Sequence, residues 1–515
     1  MPHLDLSRSD IEALSEDMSI LYNLQTLNLS GCTSLCGLPR QMKYMTALRH
    51  LYTHGCPKLK GMPRELGKLT SLQTLTCFVA GSCSNCSNVG ELGNLNLGGQ
   101  LELHHLANVT KEDAKAANLL KKKELRELTL KWTIGFDSFT RESSCRVDED
   151  DAEVLNNLKP HDGLHAIRIH SYGATTFPTW MTMLQNIVEI HLFDCKKLQW
   201  LFSCDRTQPA FPNLKALTLQ SLVFLERWWE IDNDGMQGEE VLFPRLEKLF
   251  INHCKKLTAL PGHPTFPNLQ NVFINGCPEL RTTAKSPKLS VLHIDGHETE
   301  LFQWLARHMT SLTNLKLYSL EENCTETTLA AAEHSLREVM DTKGKWKDHD
   351  LPLAVLDLRC FKSGVVTELC ACFVNLQDLS IWSSDALVHW PEKEFQGLVY
   401  LRKLLIYNCK NLTGYAQAPA NPSTSSETRQ LLPRLESLKI DSCKILVEVF
   451  SVSASLRTME ICSCSKLESV PGMRLEQMPS ELASQRWSFS TPKVSIIIIN
   501  WSCGGAFRSI KIRIL

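Results

Sequence analysis

Twenty cysteines in 515 residues are the side chains here with the widest chemical range. Thiols pair into disulfides, ligate zinc or act as nucleophiles, and spacing separates these uses. Cys83-Ser84-Asn85-Cys86 has the C-x-x-C spacing of a zinc or redox pair. It stands in a Gly/Ser/Asn stretch with no second pair, and a lone pair is weak evidence. Eight others share a different signature: Cys32, Cys56, Cys195, Cys254, Cys277, Cys409, Cys443 and Cys464. Each follows by three residues the last inward position of a short β-prone run. They lie a full repeat apart, which does not suit a four-ligand zinc site. A buried thiol behaves as a small hydrophobe with a weak S–H donor. These cysteines are therefore expected to turn inward, fill a bend and bond a neighbouring loop carbonyl.

Other reactive constellations are thin. His104-His105 falls at a strand end, where adjacent residues point to opposite faces, so the two rings are not expected to share a ligand. Asp148 to Asp151 is expected to start a short helix reaching Leu158. Lys121-Lys122-Lys123 follows a helix predicted over Thr110 to Leu120 and is expected to be a solvated helix end. The sequence holds no Gly-rich phosphate loop, dinucleotide fingerprint, H-E-x-x-H or nucleophile elbow. The expectation is a protein that is not an enzyme and carries no cofactor and no metal.

The elements that must position all of this come from one recurring stretch. In Leu24 to Pro39 the apolar groups are Leu24, Leu27, Leu29, Cys32, Leu35 and Leu38, in steps of three, two, three, three and three. Neither one helix nor one long strand has that spacing. A short strand followed by an inward-pointing turn does, which is one coil of a leucine-rich repeat. Leu246, Leu249, Ile251, Cys254, Leu257 and Leu260 repeat the same steps. With degenerate copies included, about eighteen coils run along the chain. The predicted fold is an α/β repeat solenoid, a horseshoe with parallel β-strands on the concave face and an irregular or short-helical convex face.

The expected organisation is residues 1–110 as early repeats with an uncapped start, and 111–160 as a helix plus an acidic insertion. Residues 161–480 are later repeats with insertions at 321–350 and 414–430, and 481–515 form an atypical tail. Solenoids need terminal caps, so the bare start suggests missing upstream sequence. Residues 494–501 are β-prone and stand outside the repeat.

Net charge is −1, which gives no global pull toward nucleic acid or anionic membrane. No apolar run is long enough for a membrane helix, and the first ten residues are polar. What such a fold offers is a surface. The residues flanking the last strand aliphatic point outward: Asn28, Ser30, Thr129, Lys131, Phe193, Phe250, Phe273, Tyr318, Arg359, Trp382, Tyr407, Lys439 and Asp441. The aromatics among them would form a discontinuous track, and exposed aromatics with scattered charge suit protein binding.

Several phrases carry a resemblance. They include Leu21-Tyr22-Asn23-Leu24-Gln25-Thr26-Leu27, Leu69-Thr70-Ser71-Leu72-Gln73-Thr74-Leu75 and Pro160-His161-Asp162-Gly163-Leu164. Leu106-Ala107-Asn108-Val109, Phe177-Pro178-Thr179-Trp180-Met181, Phe211-Pro212-Asn213-Leu214 and Phe243-Pro244-Arg245-Leu246 belong with them. Over roughly residues 1–480 the chain resembles the leucine-rich repeat region of plant intracellular nucleotide-binding immune receptors of the coiled-coil class. That resemblance implies sensing of a pathogen effector or a guarded host protein, and autoinhibition of a nucleotide-binding module docked on the early repeats. It also implies a cytoplasmic or nuclear location. The nucleotide-binding module itself is absent from this sequence, so a fragment or a standalone repeat protein is expected. The alternatives are an extracellular repeat ectodomain, for which six N-x-S/T sequons speak, or a generic repeat adaptor.

Overall fold

The structure is a computed structural model. It describes residues 2–81, 86–132, 148–202, 211–229, 243–260, 266–280, 286–297, 301–302, 304–305, 308–320, 334, 351–361, 370, 373–415, 431–451, 455–467, 469–470, 473–474, 497–500 and 509–513. Cys83 and most of the insertions foreseen at 321–350 and 414–430 lie outside these residues. The chain divides into two compact units, 1–269 with 276–286 and 270–275 with 287–515.

In the first unit, each coil contributes one short parallel strand. His3–Asp5, Thr26–Asn28, His50–Tyr52 and Thr74–Leu75 form a four-stranded sheet. Its register stacks Leu4, Leu27, Leu51 and Leu75 in one inward row. At Thr76 the ladder is interrupted and patched by a side chain: the Thr76 hydroxyl accepts from the Thr53 amide at 2.9 Å. A longer run follows through Cys77–Val79, Gly99–His104, Leu125–Lys131, Ala166–His170, Glu189–Phe193, Ala216–Gln220 and Lys248–Asn252. Leu101, Leu128, Ile167, Ile190, Leu217 and Leu249 continue an inward row there. All six are fully buried or nearly so, and burying each such side chain stabilises by about 2–3 kcal/mol.

The cysteine turn works through backbone handedness. Gly31, Asp194 and His253, each immediately before a buried cysteine, have left-handed φ of 74°, 56° and 55°. That kink turns the next side chain inward. The eight repeat cysteines are free and buried, as their spacing predicts. Cys32 Sγ donates to the Leu6 carbonyl at 3.0 Å and Cys56 Sγ to that of Leu29 at 3.1 Å, each in the preceding coil. Burial pushes the Cys195 thiol up to about 12.

Behind the strands, the Phe-Pro phrases build a spine. Phe243 stacks between Phe211 and Phe266, with centroids 6.1 Å away on each side. The asparagines of Pro212-Asn213-Leu214 and Pro267-Asn268-Leu269 reach the preceding coil: Asn213 Nδ2 donates to the Gln185 carbonyl and Asn268 Nδ2 to that of Pro244.

The helical insertion follows its caps. Thr110 Oγ1 accepts from the Asp113 amide, and the helix spans Lys111–Ala117. A second helix, Asp148–Asn157, lies against it, with Lys111 Nζ 2.8 Å from Glu153 Oε2. One expectation fails here. Lys122 is not a solvated helix end but 2 % exposed, because its carbon stem enters the core and its ammonium finds two backbone carbonyls there.

In the second unit, Asn271–Asn275, Val291–Gly296, Asn314–Ser319, Val355–Arg359, Asp378–Trp382, Lys403–Tyr407, Ser437–Asp441 and Thr458–Cys462 pair in parallel. Leu292, Leu315, Leu356, Leu379, Leu404, Leu438 and Met459 form the inward row. Beyond Thr458–Cys462 the direction reverses: Ser509–Arg513 pairs antiparallel with it, and Ile497–Asn500 pairs antiparallel with Ser509–Arg513.

Candidate functional site

Alternate strand residues leave the core and form rows across the open face of each sheet. In the first unit one row reads Cys77, Glu102, Thr129, Arg168, His191, Thr218, Phe250. The next reads Lys131, His170, Phe193, Gln220, Asn252. The charged members of these rows are Glu102, Arg168 and Lys131. Glu102 Oε2 lies 3.0 Å from Lys131 Nζ and 2.7 Å from His104 Nε2. Burial works against its charge, but the His104 hydrogen bond and the Lys131 charge outweigh it and hold the carboxyl at about 2. Arg168 bridges Glu127 at 2.8 Å and Glu189 at 3.6 Å, and His191 lies between Glu189 and Thr218.

Of the residues foreseen on this unit, Lys131 and Phe193 belong to these networks, and Thr129 is buried between Glu102 and Arg168. Phe193 stacks on His170 with centroids 4.4 Å apart. Burial and the Lys131 charge lower His170 to about 4, so it meets the phenyl ring as a neutral imidazole. Asn28 and Ser30 stand apart: Asn28 Oδ1 accepts from Ser30 N at 3.1 Å and Oγ at 2.6 Å. Phe250 takes its place in register beside Thr218.

Cys77, Glu102 and His104 place a thiol, a carboxylate and an imidazole within 4.8 Å of one another. Zinc uses such donors. The Lys131 ammonium already occupies the cation's place on Glu102, and burial holds the Cys77 thiol far above its ordinary range. As built, the cluster is an ion-pair network.

The second unit concentrates the foreseen aromatics. Tyr318, Arg359, Trp382, Tyr407 and Asp441 occupy one row on five successive strands. Arg359 is forked onto Asp357, with Nε and Nη2 at 3.1 and 2.9 Å. Its Cζ lies 4.7 Å over the Trp382 ring, and Trp382 meets Tyr407 at 4.8 Å. Trp382 Nε1 is buried without a hydrogen-bond partner among the described residues. Phe273 sits edge-on to His293 at 4.5 Å, Lys439 pairs with Glu460 at 3.3 Å, and Asp441 accepts from Ser442 Oγ.

Sequence reasoning did not single out Glu102, Arg168, His170 or His191 as site residues. The signal was available for each: a polar or aromatic residue next to an inward aliphatic on a short strand.

The family described as R13L1/DRL21 leucine-rich repeats matches residues 89–222. The chain has the leucine-rich repeat fold and is similar to plant disease resistance proteins. This leucine-rich repeat region is 38% identical over 238 residues to disease resistance protein RGA2 of Solanum bulbocastanum, covering 44% of this chain and 23% of that protein. It is 35% identical over 291 residues to disease resistance RPP13-like protein 1 of Arabidopsis thaliana, covering 50% of this chain and 27% of that protein. The chain thus spans about a quarter of the length of these relatives. Among solved structures, a leucine-rich repeat protein of Leptospira interrogans aligns at TM-score 0.34 and 18% identity, over 73% of this chain and 77% of that one. No helix among the described residues is long and apolar enough to cross a membrane.

Proposed function

We propose that the chain is a protein-recognition and regulatory module of plant defence, acting by binding and not by catalysis, in the cytoplasm or nucleus. Its open sheet face senses a pathogen effector or a guarded host protein. Its early repeats, around Asn28 and Ser30, dock a nucleotide-binding module and hold it inactive. The support for the defence context is the similarity to resistance proteins.

The observation that carries the binding reading is the row Tyr318, Arg359, Trp382, Tyr407. Arginine and aromatic residues are the side chains that dominate protein interfaces. Here Asp357 and the Trp382 ring hold Arg359 rigid, so little conformational entropy remains to be lost on binding.

Co-precipitation tests both halves. The full chain is mixed with the isolated nucleotide-binding module of a resistance protein of this class, and separately with candidate effectors and host targets. Asn28→Arg is expected to abolish capture of the module and Trp382→Ala to abolish capture of the sensed protein. Absence of any capture of the module by the full chain, or undiminished capture by Asn28→Arg, sinks the regulatory half. An undiminished Trp382→Ala complex sinks the recognition half.

A further inference from the structure

Four successive coils of the second unit bring paired residues to one edge of the sheet, just before their strands. The pairs are Pro352 and Ala354, Asn375 and Gln377, Tyr400 and Arg402, and Arg434 and Glu436. Backbone bonds fix them as rungs. The Asp378 amide donates to the Ala354 carbonyl at 3.0 Å, that of Lys403 to Gln377 at 3.0 Å, and that of Ser437 to Arg402 at 2.9 Å. The first rung is small, and a pocket opens over it. The amides of the second rung, the Tyr400 ring and the arginines of the last two rungs complete its lining, with no carboxylate among them.

Several cations on the sheets are paired. Arg168 is neutralised by Glu127, Arg359 by Asp357 and Lys403 by Asp378. Arg402 and Arg434 have no ion pair and no side-chain hydrogen bond among the described residues. Glu436, the nearest acid in register, pairs with neither. Arg434 Cζ lies 4.9 Å over the Tyr400 ring, a contact that orients its fork without consuming a donor. Two guanidiniums with free donors, beside amide groups and a phenol, match the several oxygens of a carboxylate or phosphate.

We propose that this pocket takes the oxyanion of an acidic side chain, an aspartate, a glutamate or a phosphorylated residue, on a bound polypeptide. The proposal rests on the protein-recognition reading and names the chemistry of one of its contacts. A polypeptide is favoured over a nucleic acid or an anionic bilayer because the net charge of −1 supplies no broad basic field.

The test is fluorescence anisotropy of the full chain with short labelled peptides: one rich in Asp and Glu, one carrying phosphoserine, one rich in Lys. At least one acidic peptide should bind, more weakly as salt rises. Arg402→Ala or Arg434→Ala should weaken it about tenfold, the scale of one lost charge-assisted contact, and Arg402→Lys by less. The preferred acidic peptide identifies the source of the oxyanion. Lys410→Ala, exposed and outside the pocket, should leave this binding unchanged, and capture of the sensed protein through Trp382 is read in its own experiment, so the pocket and the sheet face fail or survive separately. Arg402 and Arg434 are exposed, and unchanged thermal midpoints establish that their variants fold. Equal binding by wild type and the Arg402→Ala/Arg434→Ala variant overturns the proposal. So does a lack of binding by both acidic peptides, or arginine-dependent binding of only a single-stranded DNA oligomer or phosphatidylserine vesicles.

Discussion

The Lys122 ammonium lies 2.6 Å from the Leu92 carbonyl oxygen and 2.8 Å from that of Leu95, inside the first unit. Burial lowers this lysine to about 8. A lysine whose folded value lies below its unfolded one costs stability while both states are protonated. That cost is relieved as pH rises from about 8 toward 10.5. Wild type should therefore gain urea resistance over that window relative to Lys122→Met, by at most about 1.4 kcal/mol per pH unit. Parallel urea curves for the two proteins between pH 8 and 10 would remove the buried-charge account. Lys122→Ala should be less stable than Lys122→Met at pH 7, because it also leaves a cavity.

Glu102 gives a pH dependence of the same sign in a different, acid window. Its carboxyl is held at about 2, below its ordinary 4.5, so its contribution is complete above about 4.5 and is lost as pH falls toward 2. Glu102→Gln should lower the urea midpoint at pH 6 and flatten its fall in acid. Because Lys131 loses its partner in this variant, the change should exceed the typical exposed pair, about 1 kcal/mol.

The cysteine turns predict silence. Native protein treated with Ellman's reagent at pH 8 should label Cys36, which is exposed, and leave the eight turn cysteines unreacted. Denaturation should release them as free thiols. Rapid native labelling of Cys195, whose thiol is pushed up to about 12, would contradict the packing of that turn.

The phenylalanine spine is expected to be the costliest place to cut. Phe243→Ala should lose about 3–5 kcal/mol and Phe243→Leu appreciably less. Asn213→Ala should lose about 1 kcal/mol, the net value of its bond to Gln185. Calorimetry on the purified chain distinguishes these three.

Arg359 and Trp382 should be coupled. A double-mutant cycle on stability with Arg359→Ala and Trp382→Ala should return about 0.5–1 kcal/mol for the stacked pair. Arg359→Lys keeps the charge and loses the planar stack, so it should recover only part of that coupling. A coupling of zero would mean that Asp357 alone holds the guanidinium.

The sequence by itself determined the coil. Inward leucines, the strand centres and the turn cysteines follow from spacing within about fifteen residues, because one coil's alternation and turn are local properties of the backbone. Thr110 as a cap was legible for the same reason. The tertiary structure alone decided which side chains meet across coils. Lys316 faces Asp357 and Thr129 faces Arg168 over separations set by insertions of differing length, which no single coil encodes. It also decided that Lys122 goes inside, since a lysine is placed by the carbonyls it can reach and not by its own pattern. The same registry turned scattered outward residues into the Arg359–Trp382 stack and brought Arg402 and Arg434 to one pocket.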